Sequence, residues 1–351
     1  MSYERSDNLS QLWDQATFMP HDLAYRSDML VQSVAKKLQT NFVAFCLYVS
    51  VAEPDSYSES GLSDQLARFQ YFDFEKKRHF VEYPLFRIWL KQATRALESR
   101  VGVKERLSTL KQLMDAFEKH DPDITLETDC GSIELVRFYP DRLIQTAVEA
   151  DYSFPDESRR HELEAAYPIS AVVQTVQEAL ERVRFTWFAA FKDFFKFVKI
   201  IVDLVDANFK SYSSHELTGI IMVSTNNAPV LVEEYLIHEL GHQILDNVME
   251  LDSLVVKEET RKTFSLPWSG KQREIYGYLH AFFIYLMLYN YYRMVKVRSV
   301  EEESIASHRL AEIGDGLVRA MPELEYANLF TPRGKELFDN LKGEAYRLGL
   351  N

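Results

Sequence analysis

The residues of this chain best equipped for chemistry are two histidines one helical turn apart, with a glutamate directly after the first. They lie in the stretch LIHELGHQIL, residues 236–245, as His238, Glu239 and His242. On an α-helix, residues four apart share a face and sit about 6 Å apart along the axis. Two imidazoles so placed can converge on one metal ion, and Glu239 reaches the same site from the side, the H-E-x-x-H arrangement of zinc peptidases. The tripeptide His-Glu-Leu also begins at His161 and His215, but only His238 is followed by a second histidine at this spacing. Leu236, Ile237, Leu240, Ile244 and Leu245 surround the pair with apolar groups. Gly241, a poor helix former, is read as opening space for a third ligand or a substrate.

Two histidines do not complete a metal site, so a third protein ligand is expected on another element. His280, 38 residues after His242 and flanked by Leu279, Phe282 and Phe283, is the first candidate. Glu250 and Glu274 are the carboxylate competitors.

The elements that must position these groups are mainly helical. Helical spacing of Leu23, Leu30, Val34, Leu38 and Phe42 predicts a helix over 22–49. EPDSYSESG (53–61) has loop composition. Helical stretches follow from Asp64, redirected at Pro84, and over 103–119. ITLET (124–128) and SIELVRFY (132–139) read as short strands, and DYSFPDES (151–158) as a turn-rich connection. A long helical run is expected over 170–207. TGIIMVST (218–225) is the clearest strand. It is read as an edge strand that could take up an extended peptide. Pro229 opens the helix carrying the histidine pair. An aromatic helix covers 274–296, and RSVEEES (298–304) links it to C-terminal helices. The fold class expected is mainly α with a small β-sheet (α+β). A helical N-terminal region (1–125) would pack closely against a catalytic region (126–351).

The 351 residues are 46% hydrophobic, enough to bury a large core, and carry a formal net charge of −13. That charge argues against nucleic-acid binding, because phosphate repels an acidic surface. Only two cysteines, Cys46 and Cys130, are present. They exclude a disulfide framework and make a cytoplasmic location the expectation. No secretory signal is visible. The apolar segments 185–205 and 276–292 read as helices of a protein interior rather than membrane spans, the first broken by charges and the second carrying His280, Asn290 and several tyrosines.

Beyond the metal helix, four motifs in order resemble a known family. These are EYPLFRIWL (82–90), IHELGHQILDNV (237–248), LPWSGKQREIYGYLHAFF (266–283) and LFTPRGKELF (329–338). Together they resemble the HExxH-motif peptide-modification proteins, α-ketoglutarate-dependent peptide β-hydroxylases of bacterial peptide natural-product clusters. Pro267, Trp268, Arg273, Gly277, Leu279 and His280 match the family's second signature. Ser269 replaces an arginine and Glu274 a proline.

The resemblance implies Fe(II) held by His238, His242 and His280, with 2-oxoglutarate as cosubstrate. Arg273 would hold its distal carboxylate. The substrate implied is a ribosomal precursor peptide, hydroxylated at a side-chain β-carbon. Glu239 would then act from beside the ligands. Local spacing alone equally allows a zinc metallopeptidase in which Glu239 is the general base. A non-catalytic structural zinc site is a third reading.

Overall fold

The computed structural model describes residues 20–119, 124–137, 157–204, 210–256, 263–327 and 329–351. The chain opens with a long helix, α1 (Pro20–Ala52), and then turns through α2 (Pro54–Glu59), α3 (Leu62–Tyr71), α4 (Phe74–Glu82), α5 (Pro84–Ser99) and α6 (Val103–Lys119). Strands β1 (Thr125–Thr128) and β2 (Gly131–Arg137) form a hairpin. Next come α7 (Glu157–Ala166), α8 (Ile169–Thr186), α9 (Phe188–Phe197), β3 (Ile200–Asp203), β4 (Ser211–Tyr212), a short 3-10 turn (His215–Leu217) and β5 (Ile220–Val223). The metal-motif helix is α10 (Pro229–Leu251). It is followed by the β6 (Thr263–Ser265) and β7 (Gln272–Glu274) hairpin, the aromatic α11 (Ile275–Met294), α12 (Val300–Ala327) and α13 (Pro332–Arg347).

The architecture is α+β: mainly helical, with one mixed five-stranded sheet ordered β1-β2-β3-β5-β4. The β2–β3 and β3–β5 pairs are parallel, while β1–β2 and β4–β5 are antiparallel. The central strands IIVD and IIMV are buried at every residue, as unbroken β-branched and apolar runs require. One apolar cluster runs from Leu30 to Leu350 across residue 125. Within it, α1 packs on both α9 and α10.

The sequence expectations need four corrections. Residues 54–59 are helical, not loop. Pro54 occupies the first turn, where its fixed φ and missing N–H are harmless, although the helix buries no side chain. The run from 170 is not one helix, because the backbone leaves helical geometry at Trp187 (φ −151°) and Ile200–Asp203 is a strand. The segment 298–304 is largely helix: Ser299 Oγ accepts the Glu302 N–H at 3.1 Å, and Glu301, Glu302 and Glu303 favour the positive end of the helix dipole. Finally, the strand before the metal helix is not an edge. β5 pairs with β3 on one side and β4 on the other, and the edge is β4. Residues 138–139, 151–156 and 205–207 of the expected elements lie outside the described residues.

Among the described residues no helix is long and apolar enough to cross a membrane. The aromatic α11 is apolar around most of its circumference because α10, α12 and α13 pack against it.

Candidate metal centre

α10 is placed by polar clamps as well as by its apolar faces. Buried Gln243 accepts the Gly219 N–H at 2.6 Å and donates to Ile220 O at 3.2 Å, which fixes the helix to the start of β5. Asp203, at the end of β3, accepts Thr225 Oγ1 at 3.0 Å and so orders the turn between β5 and α10. At the N-terminal end, Glu234 receives Arg309 of α12 and Tyr292 of α11. At the C-terminal end, Arg87 of α5 donates to Asn247 Oδ1 at 3.1 Å, and Lys91 pairs with Glu250 at 3.3 Å.

Gly241 has a different role from the one its sequence context suggested. A Cβ there would lie 2.8 Å from Ile284 Cγ1 and 3.3 Å from Met287 Sδ. The missing side chain therefore lets α11 cross close to α10 rather than opening room in the site. That crossing carries His280 to His242.

The His242 and His280 Nδ1 atoms are 3.2 Å apart, with the rings nearly parallel at 28°. The His238 and His242 ring centroids are 5.1 Å apart along the helix face. His280 is buried, while His238 and His242 are half-buried. Among the described residues, no three His, Cys, Asp or Glu side chains already stand together as a metal-holding group.

The surroundings bring in residues that the sequence reading missed. Asp246 Oδ1 lies 3.8 Å from His280 Nε2 and accepts the Tyr276 hydroxyl at 2.9 Å. The Tyr276 ring packs on His280 with centroids 4.3 Å apart. Asp246 was legible in principle, since it follows His238 and His242 at the same four-residue interval. Glu239 is buried, and its carboxylate accepts the Ser213 hydroxyl, with Ser211 contributing a second hydrogen bond. Nothing local in the sequence marks those serines as neighbours of α10, because the β4–β5 pairing brings them there. Trp268 stacks on Tyr285 at 4.2 Å, and Tyr285 presents its edge to His238 at 6.1 Å. The indole fits because position 316 is glycine: a Cβ there would overlap its Nε1 at 1.9 Å.

Burial depresses the pKa of His242, reinforced by His238 and His280. Burial also depresses that of His280, opposed by Asp246. Both shifts favour the neutral ring, the form that offers a lone pair to a metal. Burial raises Glu239, against the pull of His238 and the two serine hydrogen bonds.

The remaining candidates lie elsewhere. Arg273 is exposed on β7, and among the described residues its guanidinium has no hydrogen-bond or ion-pair partner. Its stem lies over Gly277, where a Cβ would meet Arg273 Cδ at 3.2 Å. Glu274 is exposed, and Glu250 is engaged by Lys91, so neither carboxylate joins the imidazoles. His161 is exposed on α7, and His215 is exposed with Nε2 2.6 Å from Glu216. Cys46 and Cys130 are free thiols.

No protein-family model matches the chain, and no curated protein matches it.

Proposed function

We propose that the chain is an Fe(II)- and 2-oxoglutarate-dependent oxygenase that hydroxylates a side-chain β-carbon of a ribosomal precursor peptide. The observation that carries this reading is the 3.2 Å separation of the His242 and His280 Nδ1 atoms. With metal–nitrogen bonds of about 2.0–2.1 Å, two donors sharing one ion at roughly 90–110° lie about 2.8–3.4 Å apart. The pair therefore has the spacing of two ligands on a common ion, and His238 one turn away supplies the third. Bound iron and 2-oxoglutarate would supply the oxidising power for breaking the C–H bond.

The chain's own residues do the positioning. Asp246, itself held by Tyr276, faces the outer nitrogen of His280 and steadies its ring, a role carboxylates commonly play behind ligating histidines. The free guanidinium of Arg273 suits the distal carboxylate of a 2-oxo acid, whose two oxygens match its fork. The substrate backbone has a docking edge in β4, whose Ser211 and the following Ser213 stand beside Glu239. The histidine spacing speaks for a shared metal, and the choice of oxygenase over hydrolase comes from the resemblance in the second signature, in which Trp268, Arg273, Gly277 and His280 have the contacts described above.

A zinc metallopeptidase is the second reading, favoured by one observation: Glu239 is a buried carboxylate beside the imidazoles with a raised pKa, as a general base for water requires. The test reconstitutes the protein with iron under anaerobic conditions, adds 2-oxoglutarate, and then admits oxygen with a candidate precursor peptide. The oxygenase gives a visible charge-transfer band, and one succinate for each oxygen atom added to the peptide. Cleaved peptide formed without oxygen or 2-oxoglutarate would establish the peptidase instead. Glu239→Gln removes the hydrolytic base and abolishes only the second activity.

A further inference from the structure

A cavity of about 590 Å³, apart from the histidine cluster, lies between the end of α4, the β1–β2 turn and the end of α9. Its size is in the range of small-molecule sites. Pro84, Phe117 and Phe195 give it apolar walls, and Cys130 stands at its hairpin side. Asp28, Arg78, Glu82, Glu134, Lys196 and Lys199 bring charge to it, and Glu82 and Lys199 are the half-buried pair of opposite sign at its inner end. Glu82 is only 15% exposed at its side chain. Its Oε1 receives no hydrogen bond from any described residue, and its ion pair with Arg78 Nε is loose, at 3.7 Å, beyond hydrogen-bond reach. Lys199 donates to Phe195 O at 3.0 Å and has two further N–H groups without acceptors among the described residues. Glu82 and Lys199 stand farther apart than a direct ion pair, although each is the strongest charge influence on the other. The cavity's other lysine, Lys196, is already held by Ser27 at 2.6 Å and Asp28 at 3.0 Å.

Half-buried charges without a directly hydrogen-bonded counter-charge are costly, and the cost falls when a ligand brings the complementary groups. A carboxylate and an ammonium, separated from each other and backed by aromatic walls, call for a small molecule with an ammonium, a carboxylate and an apolar body. We propose that this cavity binds a free zwitterionic amino acid with an apolar side chain, its ammonium on Glu82 and its carboxylate on Lys199. This site is independent of the metal centre and of the reaction assigned to it.

The test uses the full chain and three probes: L-phenylalanine, N-acetyl-L-phenylalanine and L-phenylalanine amide. Binding is read by calorimetry and by the rate of Cys130 alkylation. Cys130 is the reporter because Cys46 is buried and its thiol pKa is pushed up to about 12. L-Phenylalanine is expected to bind saturably and to slow alkylation. Each blocked derivative should bind at least tenfold more weakly. Glu82→Gln and Lys199→Met should each weaken L-phenylalanine by a similar factor, with unfolding curves confirming that the variants fold. Wild-type protein already alkylated at Cys130 with N-ethylmaleimide should lose binding, a check that needs no substitution. Equal binding of all three probes, binding of one blocked form alone, or no protection of Cys130 would each overturn the assignment.

Discussion

Replacing Gly241 by alanine tests whether the close crossing of α10 and α11 is what assembles the proposed metal centre. The new methyl group would sit 2.8 Å from Ile284 Cγ1 and 3.6 Å from the Ile284 Cα, so it needs roughly 0.6 Å more room to reach ordinary contact at 3.4 Å. Little of that can come from side-chain rotation, because Met287 closes the other flank at 3.3 Å. α11 must therefore move away, taking His280 with it. Ligand distances tolerate only about 0.2 Å, so a shift of this size should weaken metal binding by about 10- to 100-fold. Overpacking costs about 1–3 kcal/mol, and the gain in helix propensity offsets about 1 kcal/mol of it. The metal-free protein should thus lose at most about 2 kcal/mol. The assay is competition for iron or zinc against a chromophoric chelator, alongside urea unfolding of the metal-free protein. Adding Ile284→Ala removes the clashing atom and should restore much of the affinity despite its own cavity cost, giving a positive coupling in the double-mutant cycle. Unchanged affinity in the single variant would refute the argument.

Three further outcomes are expected. Asp246→Ala should weaken metal binding by about 10- to 100-fold, with Tyr276→Phe giving a smaller effect in the same direction, in the same chelator assay. Asp193 is buried and its pKa is raised to about 6, chiefly by desolvation and against Lys196 at 3.6 Å. A carboxyl group that holds its proton more tightly when folded stabilises the fold most at low pH. That stability is lost as pH rises from about 4 to about 6, by roughly 2–3 kcal/mol. Asp193→Asn should flatten this part of the urea-unfolding profile and stabilise the protein at neutral pH. Gly334→Ala should cost about 3 kcal/mol or more in the same assay. Its Cβ would lie 1.8 Å from the Leu254 carbonyl oxygen, and backbone there is held by the Thr331 N–H at 3.1 Å.

The parts of the fold readable from sequence were those with strong local signals. The metal helix announced itself through Pro229 and a long apolar pattern, and β5 through its β-branched run. Residues 54–59 failed because polar composition outweighed a helix-compatible Pro-Asp start. The 170–207 stretch failed because aromatic and branched residues serve a buried helix and a buried strand equally well, and only the sheet decides between them. The edge strand was misassigned for a related reason: β4 is two residues long and carries no periodicity. At the site, the helical spacing of His238 and His242 was visible at once, whereas Ser213 and Tyr276 come close only through tertiary packing. Gly241 shows the same limit in reverse. Its lack of a side chain was noticed, but what filled the space could not be known before α11 was placed.

Glu234, His238, His242, Asp246 and Glu250 follow one another at a constant interval of four along α10. Every ionisable group on that stripe has a distinct duty, from the Arg309 clamp at one end to the Lys91 clamp at the other. A one-residue insertion or deletion within the helix would turn everything beyond it by about 100°. Tethers, imidazoles and the carboxylate behind them would then lose alignment in one event. Between the two tethers, a change in the length of α10 is therefore far more damaging than an exchange of residues.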